Sequence, residues 1–206
     1  EDRIFVTGNT VMDALFLTQK RLANADDSLV KACQQTLKRF GYSKKTDRKC
    51  VVVTGHRHEI KGDGLLKVCC ALRSVVERFA DVDIVFPVHL NPVIKNVVYK
   101  ELSNQSQIFL CEPLGYFEFI YLLMEADCIV TDSGGIQEEA TGLGKHVLLT
   151  RELTERPEAQ EDGFVEVVGY DDVKIVEKVS DILATESPLK QSISPYGSGD
   201  AGHKIA

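Results

Sequence analysis

Cys128-Ile129-Val130-Thr131-Asp132-Ser133-Gly134-Gly135-Ile136-Gln137-Glu138-Glu139-Ala140 is the stretch on which the reading of this chain turns. It opens as a short apolar, β-branched run, turns on Asp-Ser-Gly-Gly, and continues in mostly good helix formers. Strand, Gly-rich turn and helix in that order leave backbone N–H groups unpaired at a helix N-terminus. Those donors, together with the positive end of the helix dipole, bind anions. Gly134 and Gly135 put no Cβ in the way of a phosphate, and Ser133 adds a hydroxyl donor. Glu139 stands one helical turn beyond Gly135 and suits the cis-diol of a ribose better than a second phosphate. Glu138 is rotated by about 100° from it, so one of the two is expected to face the site. An ordinary turn whose glycines satisfy unusual dihedrals would read the same way, and the context has to decide.

The chain has 206 residues, room for one α/β domain with additional elements. Hydrophobic content of 44% and charged content of 27% are those of a soluble globular protein. With 24 basic against 31 acidic side chains the net charge is -7, which argues against nucleic acid or an anionic membrane as partner. An anionic ligand would need a local basic pocket. No run is long and apolar enough for a transmembrane helix and no signal-peptide pattern occurs, so a cytoplasmic protein is expected. Cysteines stand at 33, 50, 69, 70, 111 and 128 with apolar neighbours and no C-x-x-C pair. Buried free thiols are expected, with no metal and no cofactor. The start at Glu1-Asp2, directly before the strand-like Ile4-Phe5-Val6-Thr7, and the end after Pro195-Tyr196-Gly197 suggest a piece of a longer protein.

Outward from the central stretch, apolar strand-like runs alternate with helical patterns. Strands are expected at Ile4–Thr7, Cys50–Thr54, Asp83–Pro87, Ile108–Leu110, Val147–Leu149 and Phe164–Val168. Helices are expected from Thr10 to about Leu22, from Ser28 to Phe40, from Gly64 to Phe79, after Pro92, from Tyr116 to about Ala126, and from Asp171 to Ala184. This alternation predicts an α/β fold, a Rossmann-like doubly wound parallel sheet. Ligands of such sheets bind at the carboxyl ends of the strands. Polar loops follow several of them: His56-Arg57-His58-Glu59, His89-Leu90-Asn91, Ser133-Gly134-Gly135, and Arg151 through Pro157. Their shared position at one sheet edge favours a single cleft for an anionic ligand.

Taken in order, Val6-Thr7-Gly8-Asn9-Thr10-Val11, Gly55-His56-Arg57, Pro87-Val88-His89-Leu90-Asn91-Pro92, Asp132 through Glu139 and Thr154-Glu155-Arg156-Pro157-Glu158 form a specific set. The chain resembles the C-terminal, UDP-binding half of the bacterial non-hydrolysing UDP-N-acetylglucosamine 2-epimerases over nearly its whole length. The resemblance implies the C-terminal domain of a GT-B fold. Residues 1–25 would be the last strand of an N-terminal domain plus a hinge helix, 26–190 the nucleotide-binding domain, and 191–206 a segment returning to the N-terminal domain. It implies interconversion of UDP-GlcNAc and UDP-ManNAc by elimination and re-addition of UDP, in a homodimer of the full-length protein.

By the same resemblance, Ser133, Gly134 and Gly135 hold phosphates, Glu139 the ribose hydroxyls and Arg156 the diphosphate. Leu114 and Phe119 lie along the uracil, and His56 acts near the leaving group as phosphate ligand or as acid. Arg57 and His89 match contacts to a second, allosteric UDP-GlcNAc. Read without the resemblance, His89 is a loop histidine capping the following helix and Arg57 pairs with Glu59 on the surface. The carboxylates that transfer the proton at C2 belong to the family's N-terminal domain, so this chain is expected to bind UDP without turning substrate over. The loop His56-Arg57-His58-Glu59-Ile60 departs from the family's usual His-Arg-Arg-Glu-Asn or Ser, and Gly144-Lys145-His146-Val147 from Gly-Lys-Pro-Val. The rival readings are the UDP-sugar-binding half of a GT-B glycosyltransferase and a non-catalytic UDP-sugar sensor module. A reductase is disfavoured because no G-x-G-x-x-G follows a strand.

Overall fold

The computed structural model describes residues 4–23, 28–55, 63–185 and 194–206. Its centre is a six-stranded parallel sheet built from β1 (Lys49–Thr54), β2 (Val82–Pro87), β3 (Ile108–Cys111), β4 (Cys128–Thr131), β5 (Val147–Leu149) and β6 (Val165–Val167). The spatial order is β3-β2-β1-β4-β5-β6. The chain therefore winds outward from β1 in one direction and from β4 in the other. The crevice between the carboxyl ends of β1 and β4 is the topological switch point, where such sheets take their ligands.

The strand sequences explain why the sheet is covered on both faces. In β1, Cys50 and Val52 enter one core while Val51 and Val53 enter the other, and all four are buried. A period-two pattern with no polar member is the signature of a strand with helices above and below. One face carries α1 (Thr10–Ala23), α2 (Ser28–Arg39), α5 (Tyr116–Glu125), α6 (Gly134–Gly142) and the short α7 (Pro157–Glu161). The other carries α3 (Gly64–Arg78), α4 (Pro92–Leu102) and α8 (Asp172–Ala184). A last short helix, α9 (Ala201–Ile205), docks on α1, where Asp13 accepts the N–H groups of Ala201 and Gly202 at 3.2 and 2.9 Å. The doubly wound reading holds, with element ends displaced by one or two residues. All six cysteines are free thiols, and five of them are buried.

Ile4–Thr7, expected as the last strand of an N-terminal domain, lies apart from this sheet. The segment forms no strand, and Ile4, Phe5 and Val6 are 78%, 81% and 95% exposed. Its β-branched and aromatic residues fit a pleated surface, but a strand also needs a neighbour to satisfy its backbone, and no strand of this sheet pairs with it. Beyond it, Asn9 donates its N–H to the Tyr196 carbonyl at 2.8 Å, and Gly8 and Gly197, both at positive φ, lie against each other. The two ends of the described chain thus cross beside α1.

Candidate functional site

The turn after β4 is tighter than its sequence suggested. Only Asp132 and Ser133 form it, and α6 begins at Gly134. Neither Gly134 nor Gly135 has a positive φ, so their backbone angles do not require glycine. What glycine supplies is the missing Cβ. A Cβ on Gly135 would point into open space at the helix mouth, whereas one on Gly134 would stand 2.7 Å from the Glu155 carboxylate. Ser133 is the N-cap residue by position, yet its side chain makes no cap bond. The amides of the first turn are therefore not consumed by a side-chain cap, and they face the switch point with the dipole behind them.

Three consecutive side chains of α6 hold the surroundings in place, each in a different direction. Gln137, fully buried, donates to the Ser133 carbonyl at 3.2 Å and accepts from the Thr154 hydroxyl at 2.7 Å. Glu138 accepts from Arg156 Nε at 2.5 Å and from Asn9 Nδ2 at 2.6 Å. Glu139 lies beside Tyr116 at the start of α5. Burial, with the neighbouring Glu138 charge adding to it, raises the Glu139 pKa above its ordinary value, while Tyr116 acts in the opposite direction. The rotation between neighbours on a helix sends Glu139 toward α5 and Glu138 toward the 151–156 loop, where Arg156 and Asn9 take its two oxygens.

That loop brings the basic group the acidic chain needed. Thr154 fastens it to Gln137 and also accepts the Arg156 N–H at 2.9 Å, and Arg151 pairs with Glu155 inside it. Arg156 then reaches the α6 N-terminus: its Nη2 lies 4.0 Å from where a Cβ on Gly134 would stand. The bond to Glu138, with burial opposing and the charge of Glu138 assisting, raises the guanidinium pKa above its ordinary value. Leu114 and Phe119 lie before and within the start of α5, both half-buried against the core on the α6 side of the sheet. Tyr116 places that end of α5 beside Glu139. Ser133, Gly134, Gly135, Glu139 and Arg156 are thus brought together, and Leu114 and Phe119 stand on the neighbouring helix start.

His89 is exposed in the loop after β2, and its Nδ1 accepts the Asn91 N–H at 3.2 Å. The cap of α4 is Asn91, whose side chain accepts from Val93 N–H at 2.9 Å, so His89 itself is not the capping group. His56, Arg57, His58, Glu59 and Ile60 lie outside the described residues. Sequence reasoning missed Gln137, Glu138, Tyr116 and Asn9. Asn9 was within the motif Gly8-Asn9-Thr10, but nothing local connects it to a glutamate 129 positions away.

A helix N-terminus and an arginine meet at the switch point of a doubly wound sheet, the architecture of a Rossmann-like α/β domain. The family model for UDP-N-acetylglucosamine 2-epimerase matches residues 1–206, and the chain belongs to that family. The UDP-N-acetylglucosamine 2-epimerase of Yersinia pestis is 43% identical over 208 residues, which are 100% of this chain and 54% of the relative. That of Escherichia coli K12 is 40% identical over 208 residues, again 100% of this chain and 54% of the relative. The chain thus spans about half the length of the curated relatives it matches. The crystal structure of UDP-GlcNAc 2-epimerase from Neisseria meningitidis bound to UDP-GlcNAc is similar with a TM-score of 0.88 at 33% identity, covering 99% of this chain and 54% of that one. The co-structure of S. aureus MnaA with UDP gives 0.83 at 31% identity, covering 100% and 53%.

Proposed function

We propose that this chain is the UDP-binding, C-terminal half of a UDP-N-acetylglucosamine 2-epimerase, which interconverts UDP-GlcNAc and UDP-ManNAc by eliminating and re-adding UDP. The observation that carries the reading is the meeting of the α6 N-terminus, Arg156 and Glu139 at the switch point of a family member. Breaking the C1–O bond places charge on the departing diphosphate. Amide donors and a guanidinium fixed where that charge develops stabilise the transition state. Ser133, Gly134 and Gly135 take the phosphates, Arg156 the diphosphate, Glu139 the ribose hydroxyls, and Leu114 and Phe119 the uracil. His56 serves the leaving group. Arg57 and His89 are assigned, on the family resemblance, to a second UDP-GlcNAc.

The proton at C2 needs a positioned acid/base group, and in this reading the carboxylates that provide it come from an N-terminal domain. The exposed apolar segment Ile4–Val6 fits this reading, because its residues suit a strand and no strand of the described sheet covers them. The full-length protein would then work as a homodimer.

Calorimetry on this chain tests the binding half of the reading. UDP and UDP-GlcNAc should bind comparably, and Ser133→Ala or Arg156→Ala should weaken both by roughly 1.5–3 kcal/mol each. Binding of UDP-GlcNAc without binding of UDP overturns it. Exchange of the C2 hydrogen of UDP-GlcNAc in deuterated water tests the division of labour. It should be absent with this chain and present once an N-terminal domain is supplied.

A further inference from the structure

Glu138 is 5% exposed and is held by two residues from distant parts of the chain. One carboxylate oxygen takes Arg156 Nε at 2.5 Å and the other takes Asn9 Nδ2 at 2.6 Å. Asn9 is itself fixed. Its side-chain oxygen accepts from Val11 N–H at 3.0 Å at the start of α1, and its own N–H donates to the Tyr196 carbonyl at 2.8 Å. A rigid chain of contacts therefore runs from the crossing of the two chain ends, through Glu138, to the guanidinium at the α6 mouth.

The atom that Glu138 uses on Arg156 matters. Bonding at Nε fixes the plane of the guanidinium and leaves Nη2 directed to the α6 N-terminus. A planar fork bonded on that side is pre-organised to meet an oxyanion with its other edge. An arginine on a loop otherwise carries several rotamers, and a ligand that uses it must meet the entropy of ordering them. Here Nη1 touches the Glu155 carbonyl at 3.2 Å and Nη2 lies beside Gly134. The terminal edge is thus already turned to the helix N-terminus.

We propose that Glu138 is a positioning residue for the diphosphate end of the ligand, presenting the Arg156 guanidinium to the α6 N-terminus and anchored for that purpose by Asn9. The proposal rests on the reading above, in which UDP occupies that mouth. Glu138 does not touch the ligand. Its negative charge sits behind the guanidinium, so it repels the diphosphate across that cation, and the geometric gain has to exceed this repulsion. A carboxylate that merely fastens the loop, or one that acts as an electrostatic brake, predicts a different response to its removal.

The test is titration of this chain with UDP by calorimetry and with uridine by ligand-observed NMR, for wild type, Arg156→Ala, Glu138→Ala and Asn9→Ser. Ser at position 9 retains an N-cap oxygen for α1 but is too short to reach Glu138, which guards against the case in which E138A does not fold. The expected result is a loss of UDP affinity of about tenfold in E138A and of severalfold in N9S, approaching the loss in R156A, with uridine binding unchanged in all three. UDP affinity equal to or tighter than wild type in E138A and N9S, alongside a loss in R156A, overturns the proposal alone. So does a loss that falls equally on uridine and UDP, which would make Glu138 a scaffold element. Unchanged UDP binding in R156A overturns the placement of the diphosphate and the proposal with it.

Discussion

The hydroxyls of Thr54 and Thr131 lie 2.6 Å apart, joining the carboxyl ends of β1 and β4 across the switch point. Thr131 Oγ1 also accepts the Ser133 N–H at 3.0 Å, so one buried hydroxyl both closes the crevice floor and sets the turn into α6. Thr131→Val keeps the shape and removes both bonds. It should cost about 1–3 kcal/mol in urea denaturation, since the Ser133 N–H and Thr54 hydroxyl lose their partner. UDP binding should weaken with it, because the first turn of α6 is no longer aimed. A variant as stable as wild type would mean that water replaces the hydroxyl and that the turn is set by other contacts.

Gly142 is the point at which α6 meets α1. A Cβ there would stand 2.6 Å from Leu15 Cδ2 and closer still to the Met12 side chain, both fully buried. Gly142→Ala should therefore destabilise by about 1–3 kcal/mol despite alanine's better helix propensity. Amide hydrogen exchange is the discriminating measurement. Protection should fall first in α1, while the β1 and β4 amides keep theirs.

Glu139 gives a stability dependence on pH opposite in sign to that of most carboxylates. Its folded-state pKa is raised, chiefly by burial. The folded protein therefore holds that proton more tightly than the unfolded chain does. The contribution is unpenalised below the unfolded value, declines as pH rises through the folded value, and stays at its least favourable above it. Glu139→Gln resembles the protonated acid and keeps an acceptor for Tyr116. It should be more stable than wild type at pH 7.5, with the difference fading toward pH 4, and should bind UDP more weakly through the ribose. An equal stability difference at both pH values would rule out ionisation as the cause.

Asp127 behaves in the usual direction. Burial pushes its pKa up, but the Cys50 N–H at 2.7 Å and Lys44 at 3.2 Å, with Lys49 beyond, together hold it below the ordinary carboxylate value. Its stabilisation is complete above the unfolded pKa and is lost as pH falls through the folded one. Asp127→Asn should cost roughly 1.5–3 kcal/mol at pH 7 in chemical denaturation. The gap to wild type should close on acidification, and a gap that persists at pH 2 would assign the loss to packing.

The sequence by itself determined the winding of the sheet, because burial on both faces requires unbroken apolar strands, and Cys50–Thr54 and Cys128–Thr131 contain no alternative. It also determined that Ser133 to Glu139 opens a helix at a strand end, since that is local chemistry within a few residues. Tertiary structure decided which groups share that mouth. Arg156 arrives from a loop after β5, Tyr116 from the start of α5 and Asn9 from the segment just before α1. The choice between Glu138 and Glu139 could not be made from helical spacing, which fixes their relative angle but not what stands on either side. The fate of Ile4–Thr7 is the same lesson in reverse. Its residues favour a strand, but a strand exists only where a neighbour takes up its backbone hydrogen bonds, and the folded sheet provides none.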